Sequence, residues 1–323
     1  STLLSVSEYL ETELTRINDS QDILFSTTNL DFNNRWVFHV EEVKELNNST
    51  VYDMQPTLAH TSLHYAFVST RTGQEQLYYG DLTTGASHAM SRMTAHRWLK
   101  HLSFSPNDKH LIAGDHSAVW LIDVEQQLKS DQLLAFSPDN ALFSTQDKLL
   151  VAIWLNADYL YFKIEANNEI TGYIFDRVSK RIATVDKRWQ TLLTDHKTAD
   201  TLYLIDSADS QIYQMPMTDL VITPSQQVIK FPEHAVQSTG VKIPRDYYDI
   251  KIHDKNIYYV MASNTGNSRP YDFQIEVKPL NVSSNEQVTT YKTSCSCGYD
   301  IADSGFIVSE QVRLEGDVHR TVH

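Results

Sequence analysis

The stretches "QLYYGDLTTG" (residues 76–85) and "AVWLIDVEQQ" (residues 118–127) end in the same way, an apolar run closed by an aspartate. Asp81 and Asp123 are 42 positions apart (123 − 81 = 42). A second mark recurs beside them, Phe-Ser-Pro at 104–106 and again at 136–138, each followed by Asp or Asn. Pro presets the φ of a turn, and Asp or Asn supports the bend by bonding the local backbone. Short strands punctuated in this way, at a period of about 40 to 45 residues, are the pattern of radially stacked four-stranded sheets. One such sheet exposes two apolar faces, and a ring of them covers both. The expected fold is therefore all-β, a β-propeller of about seven (six to eight) four-stranded blades over 21–323. A β-sandwich is the alternative. It calls for cleaner in-out alternation and no recurrent Phe-Ser-Pro turn.

Weaker copies continue the pattern. "YLYFKIEANNEITGYIFDRVSK", "TLYLIDSADSQIYQMPMTD" and "YYDIKIHDKNIYYVMASN" each read as strands around polar turns. Aromatics make up 11% of the chain, with 17 Tyr and 12 Phe, which favours strands over helices. The first twenty residues read differently. In "SVSEYLETELTRIN", Val6, Leu10, Leu14 and Ile17 form a helical stripe, and Ser5 with Glu8 fits a capping box. We expect residues 1–20 to hold a short helix, then a strand; the alternative makes "ELTRI" (Glu13–Ile17) an outer strand that completes a blade begun by the C-terminal segment.

Charge narrows the partners. A formal net charge of -14, from 41 acidic and 27 basic residues, repels a phosphate backbone, so this segment is not expected to bind nucleic acid. No apolar run reaches the roughly 20 residues that span a bilayer as a helix. The two cysteines, Cys295 and Cys297, lie in "TSCSCGYD". They are either unreactive buried thiols or a tight, strained i to i+2 disulfide; zinc would need two further ligands that the neighbourhood does not offer.

Catalytic constellations are missing. There is no Gly-x-Ser-x-Gly elbow, no His-Glu-x-x-His and no phosphate-cradling glycine loop. The histidines His96, His101, His110 and His116 follow strands and turns and read as solvated or core residues. The Asp-rich "DSADS" (206–210) lacks the ordered ligand series of a calcium loop and reads as a turn. Neither metal nor cofactor is expected. Residues just before a first strand of a blade face the channel mouth, which nominates Arg97, Trp98, Arg245 and Tyr247 as ligand-binding candidates, because Arg with an aromatic pairs contact area with directed hydrogen bonds. The competing reading packs Trp98 between blades.

The segment "HYAFVSTRTGQEQLYYGDLTTG", then "SRMT" and "HLSFSPNDKHLIAG", resembles the TolB-type β-propeller repeat of bacterial proteins. Phe104, Ser105, Pro106 and Asp108 match its turn, with Asn107 and Lys109 replacing Asp and Gly. Ser137, Pro138 and Asp139 match it better, with Asn140 at the glycine position and so expected at positive φ. Ala66, Phe67, Ser69, Gly73, Tyr78, Asp81, Thr84 and Gly85 match the rest. The match is good over 56–140 and faint after about 195. The resemblance implies a non-catalytic binding or sensor role in the periplasm, as in membrane-anchored transcriptional regulators of the ToxR/CadC class. It implies a protein or small-molecule ligand, and a membrane anchor and DNA-binding part elsewhere in a longer chain. The absence of an initiating Met fits such a piece. The alternatives are a TolB-like scaffold for envelope proteins and a propeller enzyme, either a lyase or lactonase or the propeller half of a peptidase.

Overall fold

A computed structural model of the chain describes residues 4–6, 11–17, 23–28, 33–39, 42–47, 53–93, 99–130, 132–195, 198–224, 227–247, 249–262, 273–280, 289–293, 299–302, 307–315 and 317–322. Side chains are described chiefly within 55–262, at 273–280 and at 299–302. Chain contacts group these residues into two compact units, 1–146 with 298–323, and 147–297.

The class is all-β and the architecture is that of a propeller. Four-stranded sheets follow one another along the chain, each strand antiparallel to the one before it. The first unit holds Asp53–Leu58, His64–Ser69, Gln76–Asp81 and Ser87–Ala89 as one blade. His101–Phe104, His110–Gly114, Ala118–Asp123 and Phe143–Ser144 form the next. The second unit begins with Lys148–Trp154, Tyr159–Ala166, Glu169–Asp176 and Arg181–Val185. It continues with Trp189–Thr194, Thr201–Asp206, Gln211–Pro216 and Gln237–Lys242. Its last blade is Ile250–His253, Asn256–Ala262, Phe273–Pro279 and Thr289–Thr293.

About seven blades are expected from a 42-residue period; the blades described with their side chains number five, not seven. The blades begin at 53, 101, 148, 189 and 250, so the steps are 48, 47, 41 and 61. Straps lengthen them. Leu134–Phe136 pairs in parallel with Ser91–Met93, and Val228–Ile229 pairs in parallel with the outer strand Arg181–Val185 of the preceding blade. Each strap covers an outer edge that would otherwise present bare N–H and C=O groups.

Two more sheets are described as backbone. One joins Glu11–Ile17, Ile23–Thr28, Asn33–His39 and Glu42–Asn47; the other joins Leu4–Val6 to Asp317–Val322, Ile307–Glu315 and Tyr299–Ile301. The described residues near the N-terminus are strands in place of the expected helix: Leu4–Val6 pairs with the C-terminal strand Asp317–Val322, whereas Glu11–Ile17, which holds "ELTRI", pairs with Ile23–Thr28 and not with the C-terminal segment. The helical look of the segment has a cause. A bulge between Leu14 and Arg16 adds one residue to the strand, and an added residue breaks two-residue alternation.

Alternation between neighbours explains why middle strands read as unbroken apolar runs. In Thr201–Asp206, Leu202 and Leu204 pack with Tyr161, Ile174 and Leu192 of the preceding side, while Tyr203 and Ile205 pack with Ile252, Ile257 and Tyr259 of the next blade. Both faces of one sheet are core, which a two-sheet sandwich does not provide. In the first unit, Ala66, Val68 and Leu77 meet Leu102, Leu111 and Trp120 in the same manner.

Asp81, Asp123 and Asp176 end the third strands of three successive blades. Each carboxylate accepts from N–H groups of the turn it opens: Thr83 and Thr84, Gln126, and Val178 and Ser179. The recurrent aspartate is therefore turn chemistry. Asn140 departs from expectation. It lies in a short 3-10 turn, and its side-chain oxygen accepts from the Ser137 N–H and the Trp120 indole. The left-handed residue of the other Phe-Ser-Pro turn is Asp108, at φ 56°.

Candidate functional site

Of the four sequence candidates, Arg97 and Trp98 lie outside the described residues, as do Cys295 and Cys297. Arg245 and Tyr247 lie in the segment leading to the first strand Ile250–His253. Their side chains part company. Arg245 is exposed and its guanidinium donates to the Ala208 carbonyl in the turn after Thr201–Asp206, tying two connections together. Tyr247 is half-buried, and its hydroxyl lies 3.3 Å from Thr191 Oγ1.

Thr191 in turn accepts from Lys163 Nζ at 2.8 Å. Three consecutive blades of the second unit therefore contribute to one polar row, Lys163, Thr191 and Tyr247. Local structure explains each placement. Lys163 interrupts the second strand "YLYFKIEA", in which Leu160, Tyr161, Phe162 and Ile164 are buried. Its cross-strand partner is Gly172. The Tyr161 ring lies over that glycine, and a Cβ there would come within 2.9 Å of the Tyr161 hydroxyl. Thr191 follows a bulge between Trp189 and Thr191 in its first strand. Such a bulge re-aims the residues beside it. It recurs in the first strands Glu11–Ile17, Asp53–Leu58 and Lys148–Trp154.

The electrostatics are unusual for a lysine. Burial pushes the Lys163 ammonium down to about 8, and among the described residues no carboxylate pairs with it. An ammonium carries three donors, and among the described residues only Thr191 accepts from Lys163. The Tyr247 phenol is raised by burial, lowered by its Thr191 hydrogen bond and raised by Asp249. Tyr161 is raised further still, first by burial and then by Tyr247. Lys163 and Thr191 escape sequence reasoning because they sit inside a blade, not before a first strand. The one available signal is a lone lysine within an apolar strand.

Elsewhere, charged side chains hold the fold. Asp206 takes Arg188 Nε at 2.8 Å and Asp209 takes Lys242 Nζ at 2.8 Å, which accounts for the acidic residues of "DSADS". Among the described residues, no three His, Cys, Asp or Glu side chains converge as metal ligands would. Nor is any helix among them long and apolar enough to cross a membrane, a statement that leaves β-barrels aside.

No family model matches the sequence, and no curated protein matches it either. Solved structures do. The tricorn protease is similar over 96% of this chain at 11% identity and TM-score 0.64, and this chain spans about a third, 33%, of that protein's length. The β-propeller domain of the Trilobed protease from Pyrococcus furiosus, of open velcro topology, is similar over 98% of this chain and 94% of its own at 11% identity and TM-score 0.61. A chain of the mitotic checkpoint complex is similar over the full chain, 100%, and 94% of its own length at 11% identity and TM-score 0.59. TolB from Acinetobacter baumannii is also among the structures found, at 12% identity and TM-score 0.44. At these identities the likeness is one of fold, and the fold is the β-propeller.

Proposed function

We propose that this propeller is a non-catalytic binding module, the signal-sensing part of a periplasmic, membrane-anchored regulator, and that it recognises a protein or small-molecule ligand. One observation carries the binding role. The row Lys163–Thr191–Tyr247 contains a half-buried ammonium with, among the described residues, a single acceptor, an arrangement that leaves donors unmet at a cost in stability. The net charge of -14 keeps nucleic acid away from this part of the protein.

Thermal-shift screening against peptides, glycans and envelope extracts tests the binding role. A ligand at one hundred times its Kd stabilises the folded state by about 2.7 kcal/mol and raises the melting midpoint. A flat response across all three libraries, together with metal-dependent hydrolysis in a turnover assay, overturns it. The coding sequence upstream of Ser1 tests the regulator assignment. A winged helix and one apolar span are expected; a cleavable signal peptide instead favours the envelope scaffold.

A further inference from the structure

We infer that Lys163 Nζ, Thr191 Oγ1 and Tyr247 Oη form a recognition site for the carboxylate of a small organic acid. The inference rests on the binding-module reading and narrows it.

Three features of the row lead there. The first is unspent donors. Thr191 Oγ1 occupies one of the ammonium's three N–H groups, and among the described residues no other group accepts from Lys163, which leaves two for an incoming acceptor. Since Thr191 already accepts from Lys163, its own proton is free to go to Tyr247 Oη, 3.3 Å away. With Thr191 as that donor, the phenol's own proton is available to a ligand. Ammonium and phenol together offer donors on either side of one threonine, which suits an acceptor with two oxygens.

The second feature is charge. Among the described residues Lys163 has no carboxylate partner, and one such cation balances one negative charge. Burying a dianion against it would leave a net charge in a desolvated place, which is costly. A carboxylate is a monoanion; a phosphate near neutral pH carries between one and two charges. The third feature is surroundings. The ring of Tyr247 is half-buried and keeps exposed surface beside the row, so it offers an aromatic face to an organic acid's carbon skeleton. Access is also provided for: Lys163 and Tyr247 retain partial exposure, while Thr191, 7% exposed, is the floor.

The test uses the intact chain and measures acylation of individual lysines by an amine-acylating reagent, read by peptide mass spectrometry. Phenylacetate, acetate, inorganic phosphate and chloride are compared at equal ionic strength, with the exposed Lys129 and Lys180 as internal references. Phenylacetate is expected to slow labelling of Lys163 several-fold, acetate less and phosphate least, with the reference lysines unchanged. Equal protection by chloride and phenylacetate, or equal slowing of every lysine, overturns the assignment. A peptide with a free C-terminal carboxylate, set against its amidated form, distinguishes a peptide terminus from a free acid as the carboxylate's source. Direct calorimetry with phenylacetate should show at least about a tenfold loss of affinity in Lys163→Met and a smaller loss in Tyr247→Phe. Lys163→Arg retains the charge and tests recovery should Lys163→Met fold poorly. If a ligand found by thermal-shift screening binds wild type and Lys163→Met equally, the module still binds and this site assignment falls alone.

Discussion

The Asp108 carboxylate takes both the backbone N–H and the hydroxyl of Thr61, each at 2.8 Å. It also takes the N–H groups of His60 at 2.7 Å and Ser62 at 3.0 Å. One side chain from a turn of blade 101–144 thus gathers the turn of blade 53–89. Asp195 does the same between the next pair of blades in the second unit, accepting from Asp254 and Lys255 at 3.2 and 3.0 Å. Both donor residues have left-handed φ, 46° and 60°, so their N–H groups present side by side. Hydrogen bonds to an ionised acceptor contribute more than neutral ones.

Asp108→Asn should therefore cost about 1–2 kcal/mol, since the amide keeps one acceptor oxygen and tolerates the left-handed backbone. Asp108→Ala should cost about 2–4 kcal/mol, because it loses every acceptor and strains the φ of 56° as well. Urea midpoints measure both. An unchanged midpoint for Asp108→Asn would show that the turn holds without the carboxylate.

Gly80 stands opposite Tyr65, and a Cβ added to Gly80 falls within the Tyr65 ring. The ring stacks 5.6 Å from Phe67, which in turn lies 5.4 Å from Tyr78, so it has little room to retreat. Gly80→Ala should destabilise by about 2–3 kcal/mol through overpacking. Gly172→Ala, whose added Cβ would lie 2.9 Å from Tyr161, should cost about 1 kcal/mol, because the ring edge can shift. Combining Gly80→Ala with Tyr65→Leu should recover part of the loss in a double-mutant cycle. Simple additivity would rule out the ring as the cause.

Alkaline stability has two opposing parts. Lys163 falls to about 8 in the folded chain, below its ordinary value of 10.5. Between those values the unfolded chain binds the extra proton, so stability rises with pH across this window. Tyr79 and Tyr203 are pushed up by burial to about 12 from 10.0, and Tyr161 and Tyr259 are raised further. There the folded chain keeps protons that the unfolded chain loses, so stability falls as pH rises above 10. The urea midpoint should climb modestly from pH 7 to about 9.5 and drop beyond 10. Lys163→Met should abolish the climb and leave the drop. A climb of equal size in that variant would assign it to other groups.

How far the sequence reveals this molecule depends on the range of the forces involved. Asp81 and Asp123 announce the blades because an Asx turn is local, needing only its own next few residues. The blade count is harder to read, because straps such as Val228–Ile229 lengthen the repeat by pairing across blades. Bulges have the same effect on register: the extra residue near Leu14 makes a strand look helical. At the candidate site, Tyr247 is legible from its position before a first strand. Thr191 and Lys163 are not, since their meeting joins positions 28 and 56 residues apart in the chain. Arg245 shows the converse: the right position, with a side chain used to hold the Ala208 carbonyl.

Arg188 supplies the last test. Its guanidinium lies 4.4 Å over the Trp189 ring and 5.3 Å from that of Tyr213, while Nε donates to Asp206 Oδ2 at 2.8 Å. Asp206 is 7% exposed and also accepts from the Ala208 N–H. A planar cation here covers an aromatic face and neutralises a buried carboxylate together, which a lysine cannot do in one geometry. Arg188→Lys should lose about 1 kcal/mol despite conserving charge. Arg188→Ala should lose about 2 kcal/mol, since it strands the carboxylate. Asp206→Asn should soften the second loss, giving a coupling of roughly 1 kcal/mol in the cycle. If Arg188→Lys unfolds at the wild-type urea midpoint, the stacking contributes nothing and the carboxylate alone sets the arginine's worth.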